Sequence, residues 1–207
     1  MDGIVNLPLF IISSIIIVIA PGPDFIYVTT RGISEGSKSG MLSAIGISTG
    51  LLVHTMFAAF GLSAIIQSSV LAYQVIKYLG AGYLIYLGIK ALLGKEDNKT
   101  KEIENYSKTG VFRQGVITNV FNPKAVVTFV AFLPQFVNAH ITNPVTQFFE
   151  LGLILAFIAA AWFGIVGYFA GIIGAYIKKN IWFRRVIKYI SGTVMVSLGL
   201  KAAFSRH

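Results

Sequence analysis

The chain has 207 residues, of which 55% are hydrophobic and only 12% charged. An ordinary soluble domain carries roughly 25% charge, so the composition excludes a soluble globular protein and indicates a single integral membrane domain. The net charge of +9 falls between apolar runs rather than among stacking aromatics, which argues against nucleic acid, and the absence of cysteine removes disulfides, thiolate metal sites and CxxC redox chemistry.

Six apolar runs approach the ~20 residues that cross a bilayer. In chain order they are about Leu7–Thr29, Gly40–Ile66, Ala72–Leu93, Gly115–Val137, Val145–Ile173 and Val186–Phe204. The first follows Met1-Asp2-Gly3, which has no basic leader region, and reads as a retained span rather than a cleaved signal. It is interrupted by Ala20-Pro21-Gly22-Pro23-Asp24. Proline lacks a backbone N–H and clashes with the preceding turn, so a regular helix stops here. Asp24 follows at once, the one acidic residue inside a predicted span. An unpartnered carboxylate in such a segment costs upward of about 2.5 kcal/mol.

The second run carries His54, a candidate for an interhelical hydrogen bond or a proton relay, and Gly46 and Gly50 at small-residue spacing. Gly167 and Gly171 repeat that spacing in the fifth run. Both pairs suit close helix packing rather than chemistry. After the third run, Gly94 to Tyr106 is polar and mixed in charge, a solvated linker between two halves. The fourth run is broken at Asn122-Pro123-Lys124, with a lysine where the first break has an aspartate. Phe25, Tyr27, Phe57 and Phe129 are candidate pocket walls, although aromatic side chains in spans equally suit the core or the lipid face.

The halves resemble each other. Ile76–Leu92 and Ile187–Ala203 align without gaps, matching Ile76, Lys77, Tyr78, Leu87, Gly88, Lys90 and Ala91 to Ile187, Lys188, Tyr189, Leu198, Gly199, Lys201 and Ala202. Three spans per half inverts the second half, so the predicted fold is an all-α membrane protein of six helices in a 3+3 inverted repeat, with helices 1 and 4 broken. Repeat 1 covers about 1–93, the loop about 94–112 and repeat 2 about 113–207. Paired Pro/Gly-interrupted spans at corresponding positions point to a transporter's binding site.

Charge sets the orientation. Arg31 and Lys38, then Lys95, Lys99, Lys101, Lys108 and Arg113, then Lys178, Lys179, Arg184, Arg185 and Lys188 put twelve basic residues in three connections on one side, against Lys77, Lys201 and Arg206 on the other. The twelve mark the cytoplasmic side, so both termini face out. These span limits set both breaks nearer the cytoplasmic side than inverted symmetry requires.

A zwitterion needs a cation site and an anion site a few ångströms apart, and helix ends favour ions of opposite sign. Asp24 is a candidate to bind a substrate ammonium, a proton, or both in turn. Lys124 is a candidate for a substrate carboxylate or for a structural pair with Asp24, and Asn122 can hydrogen-bond to either. No hydrolytic triad, Walker loop or paired catalytic carboxylates appear. His140 and His207 lie apart from His54, which leaves no histidine cluster for a metal.

APGPD in the first run, GISTGLLVHTMFAAFGL in the second, YLGAGYLIYLGIKAL in the third, and NPKA with FLPQF in the fourth resemble the LysE/RhtB family of bacterial amino-acid exporters. The resemblance covers essentially the whole chain. It implies an inner-membrane exporter of amino acids or close derivatives, driven by the proton gradient and often homo-oligomeric, with no enzymatic activity and no cofactor. It marks Pro21, Gly22, Pro23, Asp24, Asn122, Pro123 and Lys124, with His54 as an accessory. One acidic site residue, without a second carboxylate for a side-chain cation, favours a neutral amino acid. Two alternatives are a divalent-cation exporter, for which Asp24, Asn122 and His54 are a thin ligand set, and a structural or receptor protein, which leaves paired breaks of opposite charge unexplained. A thiol-based membrane redox enzyme, which the broader superfamily contains, is excluded by the lack of cysteine.

Overall fold

The structure, a computed structural model, describes residues 4–62, 107–138 and 143–177, with single helical positions at 64, 71, 75, 78, 82, 86 and 89. Most of the third span, the Gly94–Tyr106 linker, the sixth span and therefore the Ile76–Leu92/Ile187–Ala203 repeat lie outside the described residues, as do Lys90, His140 and His207.

The described chain is helical. Helix α1 is Leu7–Ile19, α2 is Pro23–Glu35 and α3 is Ser37–Phe57, which continues as a π-helical turn over Ala58–Leu62. Helix α4 is Lys108–Val120 and α5 is Pro123–Val127, extended by a π-helical turn to Phe132 and a 3-10 turn to Phe136. Helix α6 is Pro144–Ile177. Ser37–Leu62 and Pro144–Ile172 are each long and apolar enough to cross a membrane, and the bent pairs α1/α2 and α4/α5 reach that length together.

Both predicted breaks are present. Helix α1 stops at Ile19, and α2 starts on Pro23 with Gly22 as an extended cap. Proline suits the first helical position because its missing N–H would have no partner there. The pair bends by 55°. At the second break Asn122 caps α5, its Oδ1 accepting from the Lys124 amide at 3.0 Å, with Pro123 first in the helix. That pair bends by 50°.

Both breaks fall mid-way, with 13 residues in each of α1, α2 and α4 and a segment of similar length over Pro123–Phe136. The apolar runs had set them too close to one end, because charged residues hid two helical segments. Arg31, read as part of a connection, lies in α2 and is buried. Lys108 and Arg113, read the same way, lie in α4, whose start is capped by the Ser107 hydroxyl accepting from the Gly110 amide at 3.2 Å.

The two bent pairs lie antiparallel. Ile4 bridges Val137 at one end of the α1/α5 contact, and Ala20 meets Lys124 at the other. Along α2 and α4, Asp24 meets Asn119 and the Tyr27 hydroxyl donates to the Val111 carbonyl at 2.6 Å. The breaks are therefore side by side. Beside the α1/α5 contact, Phe10 stacks on Phe132 and meets the edge of Phe136. Helices α3 and α6 cover this arrangement, and α3 also packs along α4.

Glycine permits those crossings. An added Cβ at Gly40 would stand 2.3 Å from the Gly167 carbonyl oxygen, and at Gly171 2.1 Å from the Ser37 nitrogen. Gly46 meets Phe112 and Gly115 of α4 in the same way. Both small-residue pairs thus pack helices, as expected. The outer faces are apolar, with Ile12, Ile45, Met56, Leu153, Phe157 and Ile165 among the exposed side chains.

Gly40→Ala will destabilise the protein by about 1–3 kcal/mol through overpacking. Gly164→Ala, which meets nothing within 4 Å, will be neutral or stabilising by up to about 1 kcal/mol. Thermal unfolding of the two purified variants in one detergent checks this contrast.

Candidate functional site

Asp24 sits in the first turn of α2 and is only 8% exposed. Its Oδ2 accepts from Asn119 Nδ2 at 2.9 Å. Its Oδ1 is buried with no hydrogen-bond partner among the described residues. Lys124, in the first turn of α5, is partly buried. Its Nζ donates to the Ala20 carbonyl at 2.5 Å, across from the end of α1.

The two charges therefore rest on helix ends rather than on each other. A carboxylate is favoured at a helix N-terminus and an ammonium at a C-terminus, by about 0.3–1 kcal/mol at exposed sites and more where partly buried. Asp24 occupies the first position and Lys124 the second. The direct Asp24–Lys124 pair considered from the sequence is not formed: among the described residues the one ion pair within 4.0 Å joins Arg31 to Glu35.

Asp24 and Lys124 line one cavity of about 30 Å³. Its other walls are Ile17, Val18, Leu51, Ala125, Thr128, Leu155, Ala159 and Phe163. One carboxylate and one ammonium thus face an otherwise mostly apolar space. That space suits water rather than a larger solute.

Asn119 was not anticipated, and it joins three elements. Its amide holds Asp24, its carbonyl lies 3.3 Å from His54 Nε2, and its side chain occupies the space left by Gly50, where a Cβ would stand 2.7 Å away. His54 is buried, stacked on Phe129 at 5.4 Å, and makes the interhelical hydrogen bond expected of it. The sequence signal for Asn119 was a polar residue three positions before the Asn122 break.

Gly22 is the passage for Lys124, whose Cδ would stand 3.3 Å from an added Cβ. Asn122 is buried at the second break, its side chain near the Asp24 carboxylate but with no hydrogen bond from its Nδ2 among the described residues. Pro21, Pro23 and Pro123 shape the breaks without lining the cavity, and the rings of Pro23 and Pro123 are exposed. Of the four candidate aromatic walls, none lines the cavity. Phe129 is in the core, Phe57 is 69% exposed, and Phe163 supplies the aromatic wall instead. Among the described residues no group of three or more His, Cys, Asp or Glu side chains is placed to hold a metal ion.

Paired broken helices with opposite charges at the breaks are the pattern expected of a membrane translocator. The LysE type translocator family model matches residues 15–206, and the chain belongs to that family. It is 36% identical over 199 residues to the uncharacterized membrane protein YrhP of Bacillus subtilis, covering 91% of this chain and 93% of that one. It is 26% identical to the leucine efflux protein of Klebsiella pneumoniae, over 97% and 96% of the two chains. To the leucine efflux protein of Salmonella typhimurium it is 30% identical, over 76% and 75%. No solved structure matches it. As a family translocator it is a transporter rather than an enzyme, a membrane protein whose partners are a small-molecule substrate and the surrounding lipid.

A double-mutant cycle measures the Asn119–Asp24 bond. Asn119→Ala will cost about 1.5–3 kcal/mol, as expected of a hydrogen bond to a charged group. In an Asp24→Asn background the same change will cost at least about 1 kcal/mol less. Reversible unfolding in mixed micelles is the readout.

Proposed function

We propose that the chain is a secondary transporter that exports neutral, apolar amino acids from the cytoplasm by proton antiport. The observation that carries this reading is a lone carboxylate and a lone ammonium, each at a complementary helix end, on a cavity otherwise lined mostly by apolar side chains. A neutral amino acid is the matching ligand. Its ammonium takes the place of Lys124 at the Ala20 carbonyl and pairs with Asp24. Its carboxylate takes Lys124 and the Asn122 amide, and its side chain rests on Leu51, Leu155 and Phe163. The leucine efflux relatives support the same substrate class.

Asp24 is the proton carrier in this reading, protonated when the substrate leaves and ionised when it binds. The site comprises Pro21, Gly22, Pro23, Asp24, Asn122, Pro123 and Lys124, with Asn119 holding Asp24 and His54 accessory. The architecture is one domain over 1–207 with six spans in a 3+3 inverted repeat, and antiparallel bent pairs, each followed by an unbroken helix, support it. We place it in the bacterial inner membrane with both termini outside, on the strength of the basic connections, and as a homo-oligomer by family resemblance.

Uptake from a mixture of the twenty amino acids into proteoliposomes, with and without an imposed pH gradient, tests the reading. Leucine and similar neutral amino acids will accumulate only with the gradient. Asp24→Asn will lower the rate at least about tenfold, a loss of about 1.4 kcal/mol or more. Lys124→Met will do the same while the protein stays folded. Gradient-independent movement, or wild-type rates from Asp24→Asn, would refute the mechanism.

A further inference from the structure

Helix α2 carries a second polar constellation beyond the cavity. Asp24, Tyr27, Arg31 and Glu35 recur at spacings of three and four, so they share one helix face. The stripe runs from the break to the Gly36 turn, where φ is +90° and α3 begins. Arg31 is buried, pairs with Glu35, whose side chain is 14% exposed, and lies 5.6 Å from the Tyr27 ring centroid. Tyr27 in turn donates to the Val111 carbonyl of α4.

A buried ion pair contributes little net stability compared with apolar residues of similar volume, while removing one partner leaves the other exposed to a large cost. Buried ionisable residues in a membrane protein point to function by default, and here Arg31 and Glu35 are paired near the end of α2. A packing role does not require four polar residues in a line that starts at an unpartnered, buried Asp24 oxygen.

We propose that Tyr27, Arg31 and Glu35 line the access path between Asp24 and the membrane face that bears the α2–α3 turn. Arg31 is the docking point for the carboxylate of the amino acid on that path. In this conformation the Glu35 carboxylate occupies the docking point and the ion pair bars the path. A substrate carboxylate competes for the guanidinium, Arg31 turns from Glu35, and the zwitterion passes Tyr27 to reach Asp24. This rests on the transport reading above and adds to it a second carboxylate site on α2.

The native chain has no cysteine, so single cysteines report accessibility without background. Ser43, buried on α3 beside the Tyr27 hydroxyl, is the probe between gate and cavity. Ser14, buried on α1 beyond the break, is the control. The reagent is a charged, membrane-impermeant methanethiosulfonate, added in the absence of substrate to vesicles of each orientation. Ser43→Cys will react slowly in the otherwise native chain. Adding Arg31→Gln or Glu35→Gln will speed labelling at least about tenfold, only from the face that bears the α2–α3 turn. The exchange Arg31→Glu with Glu35→Arg will restore slow labelling. Ser14→Cys will stay unreactive throughout.

Rates within about twofold of the parent in both single variants, or labelling of Ser43→Cys from the opposite face, overturn the proposal. Labelling of both probes also overturns it, because the pair is then a structural brace whose loss unfolds the chain. Since the readout uses no substrate, a lack of amino-acid uptake with gated labelling would refute the transport reading separately.

Discussion

The contact on which the arrangement depends is the Lys124 ammonium resting on the Ala20 carbonyl. It crosses from the start of α5 to the end of α1 and holds one broken helix against the other. Everything nearby follows from making that crossing feasible. Helix α1 must end there to free a carbonyl. Gly22 must lack a side chain to let the lysine pass. The Asn122 cap must set the first turn of α5 so that Lys124 points at its target. Asp24 completes the arrangement from the other side, fixed by Asn119 at the start of α2. Helix ends stabilise both charges, which explains how a carboxylate and an ammonium can share an apolar interior without pairing.

The breaks and their opposite charges were legible in the sequence because proline and glycine act locally. Pro21-Gly22-Pro23 stops a helix whatever surrounds it, and Asn-Pro announces a cap followed by a first turn. The small-residue pairs were legible for a similar reason, since Gly167 and Gly171 have no other evident use in an apolar helix. What escaped was set by partners distant in sequence. Asn119 reads as one polar residue near a span end until Gly50, Asp24 and His54 converge on it. Arg31 reads as a loop residue because charge ends an apolar run, yet Glu35 masks its charge when α2 carries the two four residues apart. The same error displaced the start of α4 to Gly115 from its actual cap at Ser107. Hydropathy finds where lipid meets the chain, and it loses helices whose polar face is turned inward.

The breaks also account for the division of labour among the helices. Helices α3 and α6 are unbroken and approach their neighbours at glycines, so close that an added methyl would enter a neighbour's backbone. Such contacts allow little adjustment without loss of packing. The bent pairs meet at the breaks through side chains instead, Lys124 on the Ala20 carbonyl and Asn119 on Asp24. Contacts of this kind can be exchanged one at a time.

A cavity of about 30 Å³ is too small for an amino acid, so transport by way of the proposed site would require it to open. Two side-chain contacts mark where such an opening would begin. At the cavity, displacement of Lys124 from Ala20 would free α1 from α5 at the breaks, with their far ends still joined by the Phe10–Phe132 stack and the Ile4–Val137 bridge and the glycine crossings of α3 and α6 intact. Along α2, separation of Arg31 from Glu35 would uncover the stripe that begins at Asp24. Both are exchanges of one charged partner for another of like charge, an ammonium for an ammonium at Ala20 and a carboxylate for a carboxylate at Arg31. Such exchanges limit the desolvation cost, because neither buried partner is left bare. A ligand that carries both groups on one carbon skeleton can satisfy the two positions in turn, and a ligand with only one of them leaves a buried charge uncompensated at the other. On the proposed reading, selectivity for a zwitterion over a simple amine or acid comes from the way the chain stabilises its own charges at these two positions.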